Sequence, residues 1–226
     1  MPQTLDLGTI PPADQERVVI GLDSSDLAPV GYRRGDALVI SGPRGSGRST
    51  ALSTCERAFE RQQPDGRVLR LELSAARSGA VGPRRCQHRY EPCSCPLSGP
   101  DQVLERGQLL RAHVADTPHP CCVSLAGLER LLTGETETVL LELVRTALRH
   151  EHTVLVESDL SAITGSIGLG GYLRSRRQGL LLRPERGDAE ALFRADAGRV
   201  DATRFPVGRG LLIDAGRCRS VQVAVS

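Results

Sequence analysis

Short apolar runs alternate with amphipathic stretches along most of this chain. Ala37-Leu38-Val39-Ile40-Ser41 is apolar almost throughout and too short for a helix, the pattern of a strand buried on both faces. Ser49 to Gln63 follows with helical spacing. The alternation then repeats: strand Val68 to Leu73, helix Gln102 to Ala115, strand Cys121 to Leu125, helix Glu135 to His150 and strand Val154 to Val156. In the last of these helices Val139, Leu140, Leu143, Val144, Ala147 and Leu148 recur at one face's period. After Gly179 the pattern is β alone, with Leu180 to Leu182, Leu211 to Ile213 and Val221 to Val225, and upstream Val18 to Gly21 with Ala28 to Gly31 reads as a short β-arm. Residues 74 to 100 carry neither period and are rich in Gly and Pro, which predicts a long surface loop. There is no internal repeat. The pattern predicts one α/β domain with a mainly parallel sheet, helices on both faces and a β-rich C-terminal end. Residues 1–35 form its N-terminal arm and strands, and residues 36–226 its body.

Composition narrows this picture. With 39% hydrophobic residues in 226, the chain can bury one good α/β core. Aromatics are 3% and Trp is absent, so that core must be Leu, Val, Ile and Ala, which suits parallel strands covered by helices. The net charge is +2 with acids and bases interspersed, which argues against a strongly basic nucleic-acid surface. The densest basic cluster, Arg174-Ser175-Arg176-Arg177, reads as a solvated helix end. No apolar stretch approaches the roughly 18 residues of a membrane span. The nearest, Thr138 to Val156, is broken by Glu142, Arg145, Arg149, His150, Glu151 and His152. With no secretory leader pattern and an odd number of cysteines, seven, the expected location is cytoplasmic.

The chemistry lies just after the first buried strand. Gly42-Pro43-Arg44-Gly45-Ser46-Gly47-Arg48-Ser49 is a phosphate-binding loop of the form G-x-x-x-x-G-K-[ST], complete except that Arg48 stands at the lysine position. Strand, glycine turn and helix are in the required order. The glycines let backbone N–H groups turn inward toward a polyphosphate lying on the helix N-terminus, with Thr50 continuing the turn and Ser49 placed to ligand a magnesium ion. A guanidinium keeps lysine's charge but is planar and bulkier. Because there is no lysine anywhere and all 29 basic residues are Arg, the exchange in part reflects the whole chain's bias. The alternative is a glycine turn that binds nothing.

Two cysteine groups also draw attention. Cys86, His88, Cys93 and Cys95 could hold zinc, but Cys-x-His and Cys-x-Cys lack the two-residue gaps of ordinary zinc knuckles, which favours free thiols in the long loop. Adjacent Cys121 and Cys122 on a predicted strand read as packing residues.

The arm Ile20-Gly21-Leu22-Asp23 to Leu27-Ala28-Pro29-Val30, the loop Gly45-Ser46-Gly47-Arg48-Ser49-Thr50 and the late strand Leu180-Leu181-Leu182-Arg183-Pro184 occur in a telling order. The ending runs from Gly208-Arg209-Gly210-Leu211 to Val221-Gln222-Val223-Ala224. Together, from about Val18 onward, they resemble the FtsK/SpoIIIE ATPases, and most of all the C-terminal ATPase module of actinobacterial EccC-type proteins, the motors of type VII secretion. The resemblance implies a RecA-like P-loop fold with ATP or ADP as ligand. It implies as partners other ATPase modules of the same motor and secreted helical substrate proteins, with DNA a weaker candidate. It also implies a place on the cytosolic face of a membrane-bound complex, reached through a parent protein or partner. In that family the third core strand ends in an acidic pair ahead of a Glu-Arg-Leu-like helix start. Here Leu128-Glu129-Arg130-Leu131 matches the helix start, so the pair falls on Ala126 and Gly127 and both carboxylates are missing. Their loss removes metal anchoring and water positioning together, leaving only a weak requirement for magnesium. Val154-Leu155-Val156-Glu157 also ends in an acid, and Glu157 is the alternative catalytic residue, although with Ser158 that position resembles the family's polar sensor. The reading is a nucleotide-binding regulatory or substrate-docking module with impaired hydrolysis. Its alternatives are an active protein or DNA translocase module using Glu157 and a protein-interaction domain with an empty loop.

Overall fold

The computed structural model of the chain describes residues 5–11, 16–73, 96–201 and 205–225. Their strands are β1 (Arg17–Asp23), β2 (Pro29–Arg33), β3 (Ala37–Ser41), β4 (Arg67–Glu72), β5 (Cys121–Ala126), β6 (Thr153–Ser158), β7 (Gln178–Leu182), β8 (Arg209–Asp214) and β9 (Arg217–Val223). The helices are α1 (Arg48–Gln62), α2 (Pro100–Asp116), α3 (Leu128–Leu131), α4 (Gly134–Arg149), α5 (Leu160–Gly165), α6 (Leu169–Ser175) and α7 (Asp188–Phe193). All nine strands form one sheet in the order β2-β1-β9-β8-β7-β3-β6-β5-β4. Strands β7, β3, β6, β5 and β4 run parallel, and β8, β9, β1 and β2 extend the sheet antiparallel.

The uninterrupted apolar strands are explained by cover on both faces. Along β3, Leu38 and Ile40 join a core with Leu52, Cys55 and Phe59 of α1, whereas Ala37 and Val39 join a second core with Leu110 of α2 and Leu140, Leu143 and Val144 of α4. In a doubly covered strand both alternating faces are buried, which favours near-continuous apolar runs, and each buried Leu or Phe contributes about 2 kcal/mol. The same alternation sends Cys121 to the α4 side and Cys122 to the α1 side, so both are packing residues as read. The antiparallel half curls onto α1. Tyr32 of β2, fully buried, donates from Oη to the Cys55 carbonyl at 3.1 Å, and Thr54 Oγ1 donates to the Ala224 carbonyl at 2.9 Å.

Helices α5, α6 and α7 carry no legible period, since six or seven residues hold under two turns. The basic cluster does end a helix, but it is not merely solvated: Arg176 pairs with Asp36 at 2.7 Å, and Arg177 donates to the carbonyls of Phe193 and Arg194 at 3.3 and 3.1 Å. Among the described residues no helix is long and apolar enough to cross a membrane. Of the expected 74–100 loop, residues 74–95, with Cys86, His88, Cys93 and Cys95, lie outside the described residues. Among those described, no cluster of three or more metal-ligating side chains occurs.

Candidate nucleotide site

From Ser41 at the end of β3 the chain turns through Gly42 to Gly47 into α1. Gly42 has φ +155°, and a Cβ there would stand 2.4 Å from the Leu182 carbonyl oxygen at the end of β7, so the loop can lie this close to the sheet only as glycine. Gly47, at φ +95°, is the N-cap of α1, and among the described residues no side chain caps it. The first-turn amides and the positive end of the helix dipole are therefore left to face a ligand. Pro43, Arg44, Gly45, Ser49 and Thr50 are exposed, while Ser46 is fully buried with its Oγ unpartnered among the described residues. A Cβ on Gly47 would lie 3.4 Å from a Val207 methyl, so the turn before β8 flanks the loop.

Arg48 is the first residue of α1, and its side chain reaches across to the strand ends. Its Nε lies 3.1 Å from Glu157 Oε1 and its Nη2 3.7 Å from Glu129 Oε1, while Nη1 is buried without a partner among the described residues. Glu157 arrives there by register. On β6, Leu155 faces α1, and two residues on so does Glu157, level with Ile40 of β3 on one side and Ala126 of β5 on the other. Its second oxygen accepts from the Gly127 N–H at 2.8 Å. Glu129, on α3, accepts through Oε2 from the Asp159 N–H at 3.3 Å and from Ser158 Oγ at 3.4 Å.

Burial raises the Glu157 pKa above the ordinary carboxylate range, and the charge of Glu129 adds to the rise. Arg48 and the Gly127 N–H pull the other way without cancelling it. A raised carboxyl is what a general base needs, yet both Glu157 oxygens are already engaged. At the expected acidic positions, Ala126 is buried facing α1 and Gly127 has φ +68°. A Cβ on Gly127 would stand 2.6 Å from the Arg130 guanidinium. The structure thus brings Arg48, Glu157, Gly127 and Ser158 into one cluster, with Ala126 level with Glu157 on the next strand. It adds Glu129, which sequence reading used only as part of a helix start. The signal was its place two residues after Gly127, but its contacts come from elements about 30 and 80 residues away.

The glycine approach, the uncapped helix and the orphaned Ser46 hydroxyl fit a polyphosphate. They do not fit a divalent metal: Ser49 offers its hydroxyl, but no carboxylate stands at 126 or 127, and the two nearby acids are held by Arg48.

No protein-family model matches the sequence, and none of the curated proteins matches it. Solved structures do. EssC (ATPases 2 and 3) from Geobacillus thermodenitrificans superposes with TM-score 0.74 at 16% identity, over 100% of this chain and 45% of that one. EccC (ATPases 2 and 3) of Thermomonospora curvata, in complex with a signal sequence peptide, gives 0.72 at 14% identity, over 100% and 44%. The pCW3 conjugation coupling protein TcpA, solved with ATPγS, gives 0.64 at 15%, over 100% and 70%. This chain spans just under half the length of these EssC and EccC chains, and its fold is the RecA-like P-loop fold, similar to that of their ATPase domains.

Proposed function

We propose that this chain is a nucleotide-binding module of a type VII secretion or FtsK-like translocation motor, one that holds ATP or ADP and hydrolyses it little or not at all. The observation that carries the reading is the contrast within the site. The loop retains its backbone geometry, while the strand end that should supply two acids reads Ala126-Gly127, and the nearest carboxylate, Glu157, has both oxygens engaged. Phosphoryl transfer needs a positioned water and neutralised charge as well as bound phosphate. Glu157 as a base would first have to leave Arg48 and Gly127, which counts against the active-translocase reading.

The role is regulatory or substrate-docking. The EssC and EccC chains contain ATPases 2 and 3, which supports other ATPase modules of the same motor as partners, and the peptide in the EccC complex supports secreted substrate proteins. A net charge of +2 gives little support to DNA. The module works in the cytoplasm, on the cytosolic face of a membrane-bound complex through a parent protein or partner. Calorimetric titration with ATP and ADP, together with phosphate release against a Ser49→Ala control, tests the reading. Measurable binding with turnover equal to the control is expected. The absence of heat at millimolar nucleotide, or turnover clearly above the control, overturns it.

A further inference from the structure

A bound nucleoside triphosphate ordinarily brings a divalent cation, and here positions 126 and 127 offer it no carboxylate while the nearby Glu157 and Glu129 are paired with Arg48. Among the described residues, the carboxylates that reach the loop's arginine are Glu157 and Glu129, and one guanidinium bridges both, with Nε to one and Nη2 to the other. Arg48 and Glu157 have side chains only 11% and 6% exposed, so their pairing is not the weakly held contact of a surface ion pair. A lysine ammonium is a compact point charge, whereas a planar guanidinium can address two carboxylates and keep a nitrogen spare. Nη1 of Arg48 is that nitrogen, buried and unpartnered among the described residues, and the buried Ser46 hydroxyl in the same loop is likewise without a partner among them. These two donors flank Gly47 at the uncapped start of α1, where an anion with several oxygens is the ligand class that a helix N-terminus and spare donors suit.

We propose that Arg48 is a built-in cation that stands in for the divalent metal, pairing with Glu157 and Glu129 so that the loop accepts a metal-free nucleoside polyphosphate. The ligand half of this rests on the nucleotide-binding reading; the exclusion of metal rests on the side chains alone. The arginine is then the component that makes the rearranged acids compatible with phosphate, since two unpaired carboxylates beside the loop would repel it.

Manganese is the probe for the metal half, followed by its electron paramagnetic resonance signal in titrations of the whole chain. Arg48→Gln, which removes the charge and keeps much of the length, is expected to bind manganese at least about tenfold more tightly than the unmodified chain, because it frees both carboxylates. Adding Glu157→Gln is expected to remove that gain. Equal affinity of the unmodified chain and Arg48→Gln overturns the proposal, as does a gain that survives Glu157→Gln. Should Arg48→Gln fail to fold by circular dichroism, the unmodified chain decides alone. Its ADP affinity is expected to agree within about twofold in EDTA and in magnesium, and a tenfold gain with magnesium overturns the proposal. If ADP binds in neither buffer the nucleotide reading falls, and tight manganese binding by the unmodified chain would still overturn the role given to Arg48.

Discussion

The phosphate loop and the strand ends that face it use different kinds of chemistry, and only one kind has kept its ordinary form. The loop works through backbone: a glycine pressed against the Leu182 carbonyl, a left-handed Gly47 and uncapped amides at the start of α1. None of these depends on whether residue 48 is Lys or Arg. The strand ends work through side-chain identity, and there Ala126 and Gly127 offer nothing while Glu157 and Glu129 converge on Arg48 from other elements. On the proposed reading, phosphate recognition and hydrolysis are separable within one fold, the first carried by geometry and the second by two or three replaceable groups.

The comparison is broken most severely from the loop side. Gly42→Ala places a Cβ 2.4 Å from the Leu182 oxygen and 2.8 Å from Ser46 Oγ at positive φ. It should cost about 4 kcal/mol in chemical denaturation and abolish ADP binding in calorimetry. Unchanged binding in a folded variant would mean the loop is not the site. Next in size, Glu157→Ala leaves the Arg48 guanidinium buried with only the 3.7 Å contact to Glu129, and strips the Gly127 N–H of its acceptor. A loss of about 3 kcal/mol is expected. A double-mutant cycle with Arg48→Ala should return a coupling of about 2 kcal/mol, and zero coupling would deny that the two residues form a unit.

A remote titration sharpens the contrast by separating stability from the site. At the far end of β5 and β6, His152 Nδ1 accepts from the Cys121 N–H at 3.2 Å and its Nε2–H donates to the Val114 carbonyl at 2.8 Å. Burial lowers its pKa, helped by His150 and His113 and opposed by the Val114 hydrogen bond. With the folded value below the ordinary 6.5, the unfolded state binds more protons between the two. Stability should thus be full above about pH 6.5 and fall as the pH drops through the folded value. His113 is lowered in the same direction, so His152→Gln should flatten the slope in part rather than remove it, and should leave ADP affinity unchanged. The smallest effect is expected from Arg48→Lys. It should alter ADP affinity yet leave turnover within about threefold of Ser49→Ala, because the oriented water and metal anchoring are still missing. Large turnover from that change alone would make Glu157 the catalytic base.

Much of the parallel half was legible because burial on both faces writes apolar runs such as 37–41, and α4 declares itself through its period. The loop was legible because glycine positions are local. The elements that escaped are those whose logic is not local. Helices α5 to α7 are too short to show a period. Strand β9 begins at Arg217, four residues before the reading placed it, because Arg217 to Ser220 alternate in exposure and carry no apolar run. At the site, Glu157 was visible as an acid ending a strand, but its partner lies more than a hundred residues earlier. Glu129 looked like an ordinary first-turn acid until α3 was set against the end of β6. Arg48 could be noticed as an exception in its motif. That it bridges two carboxylates required the sheet order, which puts β6 between β3 and β5.

The central claim, that this site holds a nucleotide without cleaving it, is tested most directly by mixing the chain with an equal amount of γ-labelled ATP and following both the retained label and the released phosphate over many minutes. The account expects the label to be retained as uncleaved ATP, with phosphate release no faster than from Ser49→Ala. Phosphate released well ahead of that control, or no label retained at all, would contradict it.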